Sequence, residues 1–162
     1  MRSNGRAFQS QIANYLLATF ISNSPAETEA IARQIAEDLV AGSVLALKGE
    51  LGSGKTLFTQ GLVAGLESDA AVTSPTFIIV HEYQGGRLPV YHFDFFRLED
   101  RESAVLLGLE DYFFSDGVSV IEWADRFPEL IPEQAHWISF ELKSERQRTI
   151  TLFHHSHENS RA

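Results

Sequence analysis

The sequence predicts an α/β fold: a central mixed, mainly parallel sheet in a three-layer arrangement. Three observations carry that expectation. A glycine-rich turn, Gly49-Glu50-Leu51-Gly52-Ser53-Gly54-Lys55-Thr56, joins the apolar run Ser43–Leu47 to the helix-compatible stretch Leu57–Val63. A strongly signalled helix start lies upstream at Ser24-Pro25. Two later apolar runs, Val90–Asp94 and Val118–Glu122, read as strands and each ends in a carboxylate.

The elements follow in order. Thr19–Ser22 reads as a short strand. Ser24 is a suitable N-cap, Pro25 occupies the first helical position, and Glu27 completes a capping box. Ile31, Ile35 and Leu39, with Ala32, Ala36 and Val40 beside them, predict one apolar stripe running to about Ala41, where Gly42 ends the helix. The strand, the glycine-rich turn and a second helix come next. Residues 76–94 read as an antiparallel hairpin turning at Gln84-Gly85-Gly86-Arg87. Arg101–Leu107 is a short helix stopped by Gly108, and Asp111–Phe114 adds a turn. Gly117–Trp123 is a buried strand, residues 127–132 are loop, and two strands at about 135–143 and 147–154 meet at Ser144-Glu145.

Composition bounds what this chain does. Its 162 residues suit one domain, with 44% hydrophobic and 22% charged residues. We expect a tail over 1–18, the domain over 19–154 and a polar tail over 155–162. The formal charge is −9, from 22 acidic and 13 basic residues, which disfavours an unaided grip on a nucleic-acid backbone. Cysteine is absent, which excludes disulfides and thiolate metal sites and agrees with a cytoplasmic protein. No run approaches the roughly 18 apolar residues that span a bilayer, so no membrane role is expected.

The chemistry centres on the glycine-rich turn, whose spacing is that of a phosphate-binding P-loop. Glycines let the backbone curl until amides point inward, and the following helix presents its positive end. The amides of Gly52, Ser53, Gly54, Lys55, Thr56 and Leu57 are the candidate nucleotide contacts. Lys55 reaches the terminal phosphates and the Thr56 hydroxyl a Mg²⁺ ion. A P-loop also needs a carboxylate at the end of a nearby strand. Asp94 and Glu122 both qualify, one to hold the metal or its water and the other to orient the attacking water. Thr76, in Ser74-Pro75-Thr76, is a candidate sensor of the γ-phosphate. His92 shares a strand face with Asp94 and reads as structural; Arg97 reads as a surface ion-pair residue, with phosphate charge as the alternative partner, and Trp123 as core, with a place near the nucleotide as the alternative.

Four motifs, Glu50–Thr56, Ser74–Phe77, Tyr91–Leu98 and Ile121-Glu122-Trp123, in this order and spacing, resemble the bacterial TsaE (YjeE) family. The resemblance runs from about Thr19 to Thr151. It implies a P-loop NTPase-like α/β fold and a weak, partner-stimulated Mg²⁺-dependent ATPase of tRNA threonylcarbamoyladenosine biosynthesis. Its partners are TsaB and TsaD, which transfer threonylcarbamoyl to adenosine 37, so tRNA is met only through the complex. It places Thr56 and Glu122 at the metal, makes Asp94 necessary to the site, and puts Glu27 near the nucleotide. Two positions depart from the family: Leu57 stands where many members have a second threonine and Phe96 where many have tyrosine. A guanine-reading switch lacks its Asn-Lys-x-Asp motif. A small-molecule kinase, which would want an arginine-bearing lid, and a non-hydrolysing docking module are the alternatives.

Overall fold

The computed structural model describes residues 17–73 and 80–153. Among them, seven strands form one mixed sheet: β1 (Leu17–Ser22), β2 (Val44–Gly49), β3 (Val80–Tyr83), β4 (Val90–Asp94), β5 (Val118–Glu122), β6 (His136–Leu142) and β7 (Arg148–Phe153), ordered β1-β7-β6-β2-β5-β4-β3. The central strands β6, β2, β5 and β4 run parallel, with antiparallel strands added at both edges. The helices are α1 (Pro25–Ala36), α2 (Lys55–Gly65), α3 (Arg101–Val105) and α4 (Leu109–Phe113).

Strand alternation sorts the core into two halves and so builds three layers. Leu45 and Leu47 of β2 face α1 and α2 with Val118, Val120 and Ile138; Val44 and Ala46 face the opposite side with Phe93, Phe113, Ile121 and Trp137. Because β2 is covered on both faces, it reads as a continuous apolar run rather than an alternating one.

Helix α1 starts as its sequence requires. The Ser24 hydroxyl accepts from Glu27 N at 3.1 Å, and the Glu27 carboxylate accepts from Asn23 N at 2.6 Å. Its end differs from expectation, at Ala36 instead of near Ala41. Arg87, from the turn between β3 and β4, donates to Ala36 O at 2.9 Å and Leu39 O at 3.0 Å, while Val40 N donates to Ser43 Oγ at 3.0 Å. These long-range donors satisfy the terminal carbonyls and close a turn, leaving Val40 51% exposed.

The buried stripe also differs. Thr28, Ala32 and Ala36 are fully buried, whereas Ile31 and Ile35 are only partly so. The reason is the closeness of α2: a Cβ added at Gly61 would lie 2.6 Å from Glu29 O and 2.7 Å from Ala32 Cβ. Small residues form the seam and the isoleucines flank it. Gly61→Ala is therefore expected to destabilise the fold. The overpacking cost of about 1–3 kcal/mol outweighs the roughly 1 kcal/mol gained in helix propensity. Chemical denaturation checks this, and an unchanged or raised midpoint would show that the helices part without cost.

The hairpin is observed as Val80–Tyr83 paired with Val90–Asp94; its expected first part, at 76–79, lies outside the described residues. Helix α3 stops at Val105, two residues early, and Gly108 (φ 69°) opens α4. Residues 127–132 hold a 3₁₀ turn, Pro128–Leu130, and a second such turn spans Ala124–Arg126. No helix among the described residues is long and apolar enough to cross a membrane.

Candidate functional site

The glycine-rich turn joins the carboxyl end of β2 to the amino end of α2. Gly54 caps α2 with φ 104° and supplies no side-chain cap, and the first turn contains no acid. This contrasts with α1, where Ser24 and Glu27 fill those places. Phe58 N is the first amide of α2 to close on the loop, bonding Gly54 O at 2.9 Å, so the amides of Lys55, Thr56 and Leu57 precede the helical ladder. An anion is the natural partner of such an end. Gly49 is needed for a different reason: a Cβ there would lie 2.7 Å from Ser53 Oγ and 2.8 Å from Phe140 O.

Lys55 is 5% exposed. Its Nζ donates to Gly49 O at 2.6 Å and Glu50 O at 3.0 Å, and lies 4.1 Å from the centre of the Trp123 ring. Burial pulls its pKa below 10.5, opposed by the charges of Glu122, Asp125 and Asp94. Trp123 sits at the margin of the core, packed against it and facing the glycine-rich turn. It is half-buried, holds the left-handed backbone at φ 57°, and packs on Phe96 at 4.8 Å. It also lines a groove of about 500 Å³ beside the loop, with Lys48, Glu50, Leu51, Asp125 and Ser139.

The two acids stand side by side. Asp94 and Glu122 are register partners in β4 and β5, and Glu122 is also the partner of Leu47 in β2. Glu122, 2% exposed, accepts from Thr56 Oγ1 at 2.9 Å. Asp94, 5% exposed, accepts from Phe96 N at 2.9 Å, which fixes its carboxylate one strand further from the loop. Arg126 secures both strand ends, donating from the turn after Trp123 to Phe95 O at 2.8 Å.

Behind Glu122 runs a buried polar chain. His92 is fully buried, with Nε2 3.3 Å from Glu122 Oε1 but without a hydrogen bond there among the described residues. Its Nδ1 lies 3.1 Å from Tyr83 Oη, and that hydroxyl donates to Thr73 O at 3.1 Å. Burial raises the Tyr83 pKa, so the phenol keeps its proton, and the same hydroxyl also lies 3.3 Å from His81 Nδ1. The chain leads to the edge of the segment bearing Thr76, which itself lies outside the described residues.

The structure thus brings Lys55, Thr56, Glu122, Asp94 and the loop residues Gly52, Ser53, Gly54 and Leu57 to one end of the sheet. Glu27 is exposed and engaged in its capping box, although its neighbour Thr28 lies 3.9 Å from where a Gly54 Cβ would stand. Arg97 is exposed. Tyr83, Arg126 and Arg148 were not singled out by sequence. Each acts through backbone carbonyls contributed by distant segments, and no local spacing announces that. The donor set fits Mg²⁺: a hydroxyl and a carboxylate offer hard oxygen beside a phosphate cradle. No group of three or more His, Cys, Asp or Glu side chains that could hold a metal occurs among the described residues.

The parallel strand order around β2, the glycine-rich turn and the strand-end acids define an α/β protein of P-loop type. The sequence profile described as "Threonylcarbamoyl adenosine biosynthesis protein TsaE" matches residues 22–150. This chain belongs to the TsaE family. It is 43% identical over 129 residues to the tRNA threonylcarbamoyladenosine biosynthesis protein TsaE of Bacillus subtilis (strain 168), 80% of either chain. With the Treponema pallidum (strain Nichols) protein of the same name it shares 36% over 132 residues, 82% of this chain and 97% of that one. A crystal structure of Bacillus subtilis YdiB matches with a TM-score of 0.74 at 37% identity, covering 84% of each.

Proposed function

We propose that this chain is the ATP-binding and hydrolysing component of the machinery that makes N6-threonylcarbamoyladenosine at tRNA position 37. In this reading it works in the cytoplasm, its weak ATPase cycle resets a complex of TsaB and TsaD, and tRNA is met only through that complex. The observation that carries the proposal is the pairing of Thr56 Oγ1 with Glu122 Oε1 at 2.9 Å, beside a helix end that no acid or side-chain cap closes. Mg²⁺, when bound with ATP, neutralises phosphate charge and polarises the terminal phosphoryl group.

The residues divide the work. Amides from Gly52 to Leu57 cradle phosphate oxygens, and Lys55 supplies the cation beside them. Thr56 and Glu122 hold the metal. Asp94, fixed by Phe96 N, orients water and with Thr76 senses the γ-phosphate; Glu27 stands where the first helix approaches the nucleotide. The experiment is single-turnover ATP hydrolysis by the purified chain, alone and with TsaB and TsaD. We expect slow, Mg²⁺-dependent hydrolysis that the partners accelerate. Hydrolysis indifferent to the partners would reject the resetting role, and phosphate transfer to a small acceptor would replace the reading with that of a kinase.

A further inference from the structure

We propose that Arg148, at the start of β7, is a positioning residue for the phosphate loop, a role that rests on the nucleotide reading above. A loop that turns amides inward must turn carbonyls outward, and those carbonyls need donors. Arg148 supplies two from one planar fork: Nε donates to Ser53 O at 3.0 Å and Nη2 to Gly52 O at 3.3 Å. These carbonyls lie 95 and 96 residues away in sequence.

The fork is held from both sides. Arg148 pairs with Leu142 of β6 and Ser22 of β1, so its backbone sits inside the sheet. Its neighbour Gln147 donates to Asn23 Oδ1 at 3.0 Å, and Asn23 in turn donates to Glu27, which ties the same corner to the start of α1. The missing side chain of Gly54 leaves the room: a Cβ there would lie 3.4 Å from Arg148 Nε and 3.5 Å from its Cδ.

Two consequences follow. Among the described residues no carboxylate lies within ion-pair distance of Arg148, so a full positive charge stands against the loop in a chain of net charge −9. The Ser53 carbonyl also belongs to the same peptide unit as the Gly54 N–H. Donation from a guanidinium polarises that unit and makes its N–H a stronger donor to an anion. Lysine could supply the charge but not the fork.

The test measures ATP affinity with Mg²⁺ by titration calorimetry, and thermal unfolding without nucleotide, on the full chain. Arg148→Ala is expected to weaken ATP binding roughly tenfold or more. Arg148→Lys should recover only part of the loss, and millimolar ethylguanidinium should restore Arg148→Ala without affecting wild type. Arg146→Ala removes the same charge from an exposed neighbour whose side chain has no hydrogen bond or ion pair to the loop among the described residues, and should bind as wild type does. Equal affinity in Arg148→Ala and wild type overturns the inference, as does full recovery with lysine or an equal loss in Arg146→Ala. If Arg148→Ala unfolds early, the lysine variant and its unfolding midpoint decide. A wild-type chain that binds no ATP removes the nucleotide reading itself, whereas a binding wild type with an equally binding Arg148→Ala removes this inference alone.

Discussion

Lys55→Ala is expected to abolish measurable ATP binding while leaving the fold intact. The ammonium bridges the first turn of the loop through Gly49 O and Glu50 O, and these carbonyls are close enough to the surface to accept water once it is gone. What the variant loses is charge-assisted donation to phosphate, worth about 3 kcal/mol or more, about a hundredfold in affinity. Calorimetry with ATP and Mg²⁺ reads the loss, and wild-type affinity in the variant would dismiss the site. The same residue sets a pH dependence. Burial lowers its pKa from 10.5, so the charge disappears at a lower pH than a free lysine would require. ATP affinity should therefore fall as pH rises through that lowered value. Stability of the nucleotide-free protein moves the other way. The folded state holds fewer protons than the unfolded one between the lowered value and 10.5, so Lys55's desolvation burden is fully present below that window and relieved across it. Opposite slopes for binding and unfolding in the alkaline range are the signature. Parallel slopes would mean that another group governs both.

How far the sequence alone could be read depends on the range of the interactions involved. The unit β2-loop-α2 was legible because its geometry is dictated locally, by glycine spacing and by an apolar run long enough for one strand. The start of α1 was legible for the same reason, since Ser24 and Glu27 satisfy each other's backbone within four residues. Both strand-end acids were legible as a type. Their order relative to the loop was not, because it depends on β5 lying beside β2 and β4 lying outside β5. The end of α1 was misjudged because the donors that stop it come from Arg87, 48 and 51 residues away. Trp123 read as core or as a neighbour of the nucleotide, and its ring packs on the core while facing the loop. Only the left-handed turn at that residue swings its ring over Lys55. Tyr83 and His92 share the limitation: nothing in either strand reveals that their side chains meet behind Glu122.

Glu122→Gln separates chemistry from structure in this site. The side chain keeps its shape, and one oxygen remains to accept from Thr56 Oγ1, now at 2.9 Å. His92 Nε2 lies 3.3 Å from Glu122 Oε1, the same oxygen that accepts from Thr56 Oγ1, in a fully buried place. The amide places a single atom at that position, which keeps the packing and still serves one of the two neighbours. The unfolding midpoint should therefore change little. Mg²⁺-dependent hydrolysis should fall by about a hundredfold or more, because a neutral amide is a far poorer partner for a hard dication than a carboxylate. Glu122→Ala makes the complementary point, leaving Thr56 and His92 without their shared partner and costing about 1–3 kcal/mol of stability. Turnover measured across a Mg²⁺ titration, beside thermal unfolding of each variant, reads both. A Glu122→Gln protein that hydrolyses ATP at the wild-type rate would show that the metal is held elsewhere, and Asp94 would inherit the role.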